Sequence, residues 1–348
     1  MRVLFAGSPD IAVPSLIRVS FEHEIVGVLT NPESAKGRGL GLEATPIARA
    51  AATVLGDRAP ILSPERLGAE AREAVAALRP EILVTYAYGR IFGPKFLALF
   101  PKGGVNVHPS LLPKFRGPAP IPAAILAHDR ETAITVQRLA LEMDSGDILG
   151  QLRLPLAGTE TAEDVGEVAA IMGADLLSTV LEEIERGQER PRPQSGEPSY
   201  CSMLRKEDGL IDWHAPLSDI DAKVRAFYPW PGAFAYLRGS RLNVLEAFPY
   251  PHVTFAAGPS SLDFEDPEPG TVLGLDKSRG IMVQTKDGLL ALRRLQVQQK
   301  KALHYREFAN GMRNLVGAVL SSAPAATGEA PALQADEEAL RAKEADRP

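Results

Sequence analysis

The chain has 348 residues, 45% of them hydrophobic and 24% charged, which is ordinary for globular protein and long enough for two domains. A single cysteine, Cys201, excludes an internal disulfide, and six histidines without ligand spacing argue against a zinc site. No apolar run has the length of a bilayer span, and Met1 leads into a strand pattern rather than a secretory leader, so a cytoplasmic protein is expected. With a net charge of −6, any nucleic-acid partner has to be met by a local concentration of basic residues.

Taken in order, residues 2–6 read as a strand, Gly7-Ser8-Pro9-Asp10 as a turn and residues 11–19 as a helix. Residues 24–30 form the second predicted strand, followed by helices over 46–55 and 69–78 and strands over 81–86, 104–108 and 132–139. Strands alternating with helical patterns predict a Rossmann-like α/β domain with a parallel sheet. Ligands of such sheets lie beyond the carboxyl ends of strands, where His108 falls. The first turn lacks the second glycine of a dinucleotide fingerprint. The glycine-rich stretch Lys36–Leu42 does not join a strand directly to a helix, so it reads as a surface loop rather than a phosphate cradle.

A helix is predicted from Thr161 to Arg186, with Val165, Val168, Met172, Leu176, Val180 and Ile184 forming one apolar, core-facing stripe. The polar, proline-bearing stretch 187–194 then reads as the start of a linker. This places a first domain at 1–190, a linker at 191–205 and a second domain at 206–320. In the second domain, strands over 241–248, 270–275, 281–285 and 289–296 predict a small, OB-like β-barrel. It carries 14 Lys and Arg against 13 Asp and Glu, but Asp263, Glu265, Asp266 and Glu268 all fall in a proline-rich insertion at 249–269. The remainder is therefore basic, with Arg293, Arg294, Lys300 and Lys301 close together. The tail 321–348, rich in Ala, Glu and Pro, has no hydrophobic pattern and is expected to be disordered.

The chemistry concentrates in Gly104-Val105-Asn106-Val107-His108-Pro109-Ser110-Leu111-Leu112-Pro113. Asn106 and His108 are two residues apart, so on an extended segment both project from one face. An amide N–H can stabilise an oxyanion, and an imidazole can move a proton near neutral pH. An isolated pair of this kind more often satisfies backbone groups at a strand end. Here it competes with Asp144, in Asp144-Ser145-Gly146-Asp147 past another strand, although Asp-x-Gly also occurs in ordinary turns. Proximity of Asp144 to His108 follows only from the parallel-sheet expectation.

Three motifs stand in order: Asn106-x-His108-Pro109-Ser110-Leu111-Leu112-Pro113, Arg116-Gly117-x-x-Pro120-Ile121, and Met143-Asp144-x-Gly146-Asp147-Ile148. Together they resemble the 10-formyltetrahydrofolate-dependent formyltransferases, in particular the branch that acts on methionyl-tRNA. The resemblance runs from Met1 to about Leu320, leaving out the insertion and the tail. It implies 10-formyltetrahydrofolate as donor, tetrahydrofolate as product, the α-amine of methionyl-initiator-tRNA as acceptor, no metal, and a monomer. It assigns catalysis to Asn106, His108 and Asp144. It assigns folate binding to Tyr86, Ala87, Tyr88 and Gly89, mainly through backbone and apolar walls, and to Ser110, Leu111, Leu112 and Pro113. Two prolines beside leucines make a rigid apolar wall suited to a flat heterocycle.

Arg38 matches an arginine in the loop that, in that family, clamps the acceptor end of tRNA, but Leu40 and Gly41 stand where lysines usually follow. Lys206–Gly209 and Arg225–Ala233 resemble the entrance to the second domain, whose Arg293, Arg294, Lys300 and Lys301 are then expected to help hold tRNA. Trp230, between two prolines, reads as packing, and Cys201 is not expected to act as a nucleophile. One rival reading is another formyl-folate enzyme, either a sugar-nucleotide formyltransferase or a hydrolase releasing formate, and the second domain speaks against it. The other is a folate- or RNA-binding module without catalysis, opposed by the presence of all three polar residues.

Overall fold

The structure, a computed structural model, describes residues 1–36, 41–251 and 267–324. Arg38, residues 252–266 of the insertion, and the tail from 325 lie outside the described residues. The chain divides into two units, Met1–Met203 and Leu204–Pro348.

The first unit runs β1 (Arg2–Gly7), α1 (Val13–Glu22), β2 (Glu24–Leu29), β3 (Ser34–Lys36), β4 (Gly41–Glu43), α2 (Pro46–Leu55), β5 (Ile61–Leu62), α3 (Ala69–Ala77), β6 (Ile82–Tyr86) and α4 (Pro94–Leu97). It continues with β7 (Gly104–His108), α5 (Pro120–Leu126), β8 (Glu131–Arg138), β9 (Ile148–Pro155) and α6 (Ala162–Glu185). The central strands are near-continuous apolar runs because helices cover both faces; all five residues of β6 are buried. The sheet order is β5-β2-β1-β6-β7-β8-β9. From β5 to β7 the strands are parallel, as the sequence predicts. β8 and β9 are antiparallel additions, contrary to a uniformly parallel sheet. The connection from β7 to β8 passes through the seven-residue α5 and delivers the chain to the sheet edge running opposite to β7.

Thr161 starts α6 with a reciprocal cap: its side chain accepts from the Asp164 amide, while the Asp164 carboxylate accepts from the Thr161 amide. The buried stripe includes Val165, Leu176, Val180 and Ile184, with Ala169 and Gly173 between them. Val168 is not part of it; 42% of its surface is exposed, because the stripe turns through Ala169 instead. The segment expected to be a linker is also packed into the first unit. Ile148 and Arg192 exchange backbone hydrogen bonds of 2.8 and 2.9 Å, and the Arg116 amide donates to the Ser199 carbonyl at 2.9 Å. Composition cannot reveal such pairing, since the partners lie far away in sequence.

The second unit contains α7 (Leu217–Ala226), β10 (Ala233–Leu237), β11 (Ser240–Pro251), β12 (Val272–Asp276), β13 (Gly280–Gln284), β14 (Gly288–Val297), β15 (Leu303–His304), α8 (Tyr305–Gly311) and β16 (Leu320–Ser321). Its antiparallel sheet, in the order β12-β13-β14-β11-β10-β16, curls into a half-barrel. Its outer strands are bridged at one end only, by Val272 N–H to Ala318 O at 2.8 Å and Leu320 N–H to Gly270 O at 2.9 Å among the described residues. Trp213, Ile220, Val244, Ile281, Leu292 and Tyr305 fill the interior.

Candidate active site

Strand pairing sets the site before any side-chain contact does. Asn106 on β7 lies opposite Thr85 on β6 and Gln137 on β8, and His108 lies opposite Thr135. Laterally paired residues share a face, and so do residues two apart, so these side chains form one polar patch on an otherwise apolar sheet. Thr85 Oγ donates to Asn106 Oδ1 at 2.7 Å, which orients the amide with Nδ2 outward. Nδ2 donates one hydrogen to Asp144 Oδ1 at 3.2 Å, and the other is available to a bound carbonyl oxygen.

Asp144 is gripped on both oxygens. Oδ1 also accepts from Gln137 Nε2 at 3.0 Å, and Oδ2 accepts from the Gly117 amide at 2.8 Å. A side chain at Gly117 is excluded: its φ is +120° and a Cβ would lie 2.3 Å from the Cys201 carbonyl oxygen. His108 is buried, 4% exposed, with Nε2 2.9 Å from the Phe115 carbonyl oxygen. A carbonyl only accepts, so Nε2 carries a hydrogen. The other ring nitrogen, Nδ1, is 3.7 Å from Asp144 Oδ2, longer than a hydrogen bond and so not committed to the carboxylate.

The expected meeting of Asp144 and His108 occurs, but not by the expected route. Because β8 is antiparallel, Arg138 at its end lies opposite Val105, at the amino end of β7. The loop after it folds back across the polar face, with the Arg138 amide donating to the Asp147 carbonyl at 2.8 Å. Gly146 permits this return, since a Cβ there would lie 1.8 Å from the Arg138 carbonyl oxygen.

The residues expected to hold folate cluster beside this patch. Ala87 and Gly89, with φ of +50° and +79°, form an exposed turn at the carboxyl end of β6. Tyr86 and Tyr88 have their rings in the core: Tyr86 donates to the Ala169 carbonyl at 3.4 Å, and Tyr88 stacks on Phe92 at 5.4 Å. Burial pushes both phenols above their ordinary pKa. They therefore offer a ligand their backbone, not their hydroxyls. Ser110 is fully buried, its hydroxyl donating to Lys114 O at 2.7 Å and its carbonyl accepting from Thr135 Oγ at 2.7 Å. These bonds brace Leu111, Leu112 and Pro113 as a wall past His108.

Sequence reading missed Thr85, Gln137 and Gln194 and gave the Arg116 side chain no role. Thr85 and Gln137 had left a signal, each being a polar interruption in a buried strand. Cys201 lies next to the site, with Sγ accepting from the Ala119 amide at 3.3 Å. Burial, assisted by the charge of Asp144, raises its thiol pKa, so it is a poor nucleophile.

Among the residues expected to meet tRNA, Arg293 and Arg294 lie in an irregular stretch of the β11–β14 pairing around Glu246. The core residues flanking them, Leu292 and Leu295, are three positions apart rather than two; Arg293 is half-buried, with its Nε enclosed and its guanidinium carbon 5.7 Å from the ring centre of the core residue Tyr305. The Arg293 guanidinium carbon is 5.5 Å from the Phe248 ring centre, and Arg294 is exposed opposite Glu246 and His304. Lys300 and Lys301 are exposed in the turn after β14. Among the described residues, no cluster of His, Cys, Asp and Glu suits a metal ion, and no helix is long and apolar enough to cross a membrane.

An amide donor and an imidazole beside a held carboxylate, at the carboxyl end of a Rossmann-like strand, are the equipment of an acyl-transfer enzyme. The chain belongs to the formyl transferase family, whose sequence pattern matches residues 2–181, with the formyl transferase C-terminal domain matching 203–313. A methionyl-tRNA formyltransferase of Treponema denticola is 46% identical over 317 residues, covering 89% of this chain and 97% of that protein. Among solved structures, HypX from Aquifex aeolicus in complex with tetrahydrofolic acid has 17% identity and a TM-score of 0.59 over 91% of this chain. This chain spans only 48% of HypX. The methionyl-tRNA formyltransferase from Clostridium thermocellum has 19% identity and a TM-score of 0.51, covering 71% of this chain and 93% of that one. At these identities the structural likeness is one of fold.

Proposed function

We propose that this chain transfers the formyl group of 10-formyltetrahydrofolate to the α-amine of methionyl-initiator-tRNA, as a cytoplasmic monomer. The observation that carries the reading is the convergence of Asn106, His108 and Asp144 on one face at the end of β7. The amine attacks the formyl carbon directly, the bond from that carbon to folate N10 breaks, and N10 leaves as the secondary amine of tetrahydrofolate. The attacking nitrogen loses one proton and N10 gains one, so no net proton is required. As the formyl oxygen becomes an oxyanion it accepts from Asn106 Nδ2–H and from the Nδ1–H of protonated His108. Asp144 orients the Asn106 amide, favours the charged form of His108 from 3.7 Å, and passes the proton through water.

The exposed Ala87–Gly89 turn and the wall of Ser110 to Pro113 are suited to the two sides of a flat pterin, and the tetrahydrofolic acid bound to HypX supports a folate donor. Arg293, Arg294, Lys300 and Lys301 supply charge for tRNA phosphates, with Arg38 assigned to the acceptor end. The test is incubation with labelled 10-formyltetrahydrofolate and methionyl-tRNA. Labelled formylmethionyl-tRNA is the expected product; release of labelled formate alone, or transfer to an amino sugar instead, would replace this reading.

A further inference from the structure

Gln194 belongs to the polar stretch whose composition reads as a linker, yet its side chain sits at the centre of a network inside the first unit. Its Oε1 accepts from Arg116 Nε at 3.1 Å and Nη2 at 2.7 Å. Its Nε2 is within hydrogen-bond distance of three acceptors: Asp144 O at 2.8 Å, Gly146 O at 2.9 Å and Gln137 Oε1 at 3.1 Å. Arg116 itself is buried, and its Nη1 donates to the Tyr200 hydroxyl at 3.3 Å. One amide thus joins the backbone of the Asp144 loop to the residue preceding Gly117, whose N–H holds the Asp144 carboxylate.

The loop has need of such a tie. Asp144 has φ +49°, an uncommon conformation outside glycine, and residues 140–143 before it are exposed and contribute nothing to the core. Only a primary amide offers an acceptor on one side and two donors on the other. The charged guanidinium bound to Oε1 polarises that amide and strengthens its donors.

We propose that Gln194 is a positioning residue: it fixes the backbone of the Asp144 loop so that the carboxylate meets Asn106 and His108, with Arg116 aligning the amide. The proposal rests on the formyl-transfer reading for its kinetic consequence but not for its structural one. In the full-length chain, Gln194→Ala should lower kcat by about 10²-fold, the scale of a roughly 1 Å misplacement. The KM values for 10-formyltetrahydrofolate and methionyl-tRNA should stay within about threefold, as for an interaction felt in the transition state. Gln194→Glu keeps the size and gives Arg116 a stronger acceptor, but turns an oxygen toward three oxygens; it should lose as much.

The decisive comparison is non-additivity. If Gln194 acts through Asp144, then Asp144→Ala with Gln194→Ala should be no slower than Asp144→Ala alone, whereas a separate structural role would multiply the losses. Hydrogen exchange gives a readout that needs no activity: amides of 139–147 should exchange faster in both Gln194 variants, while those of β1 and β6 are unchanged. Wild-type kcat in either single variant, multiplicative losses, or unaltered exchange in 139–147 would each overturn the proposal. A wild-type chain that transfers no formyl group would instead overturn the functional reading, with the exchange measurement still deciding the tie.

Discussion

Asn106 and Asp144 are joined by a 3.2 Å hydrogen bond, Nδ2 to Oδ1, although the strand between them carries the chain away from the carboxyl end of β7. The bond exists because the loop from Arg138 to Asp147 doubles back over the sheet. It is one of four grips on Asp144, which also touches Gln137, Gly117 and, through its backbone, Gln194. A carboxylate held this firmly has both oxygens already engaged, Oδ1 by Asn106 and Gln137 and Oδ2 by the Gly117 amide.

Removing any member of the trio should slow formyl transfer while the fold survives. Asn106→Ala should cost about 10²–10³ in kcat, the usual loss for one oxyanion donor. His108→Ala and Asp144→Ala should each lower kcat by a similar order or more. Circular dichroism and thermal melting should remain near wild type, and near-normal turnover in His108→Ala would remove it from the mechanism.

The Cys201 thiol should resist alkylation. Burial holds its pKa above the ordinary thiol value, so at pH 8 little of it is thiolate. Iodoacetamide labelling followed by mass spectrometry should be slow for the native chain and become rapid in denaturant. Fast native labelling would mean that the 194–201 segment is not packed on the 115–119 loop.

The cap on α6 should give the first unit a pH-dependent increment of stability. The Thr161 hydroxyl and amide, donating to the Asp164 carboxylate, depress its pKa in the folded state. A carboxylate with a depressed folded pKa stabilises at pH values above its unfolded pKa, and that contribution is lost as pH falls through the folded value. Asp164→Asn should therefore destabilise by about 0.5 kcal/mol at neutral pH in denaturant unfolding, a modest effect because the carboxylate is exposed and screened by solvent. The gap should stay constant down to about pH 5 and close below about pH 4.

Binding of methionyl-tRNA should weaken steeply with salt, because contacts to phosphates release counterions. Reversing the charge of Arg293 and Arg294 should flatten that dependence and leave folate affinity unchanged. Arg38→Ala should lower turnover on charged tRNA more than it lowers binding. Salt-independent tRNA binding in the wild-type chain would remove the basic face from the account.

Much of the molecule was legible in the chain alone, for local reasons. Apolar runs such as Leu4–Ala6 and Ile82–Val84 identified buried strands, and the three- and four-residue recurrence of Val165, Leu176, Val180 and Ile184 identified α6. The two-residue spacing of Asn106 and His108 already required a common face, since side chains alternate along any strand. Tertiary structure decided what depends on distant partners. Strand direction at the β8 edge, the return of Asp144 over the sheet, and the binding of Gln194 to Arg116 all rest on hydrogen bonds between residues 38 or more apart, or on a connection whose path no periodicity records. Periodicity reports which side of an element meets the core; it carries no information about which polar groups will find each other once the core has formed. For that reason the shared face of Asn106 and His108 could be read from spacing, while the hydrogen bonds of the Gln194 amide to Arg116 and to the Asp144 loop could be found only in the folded chain.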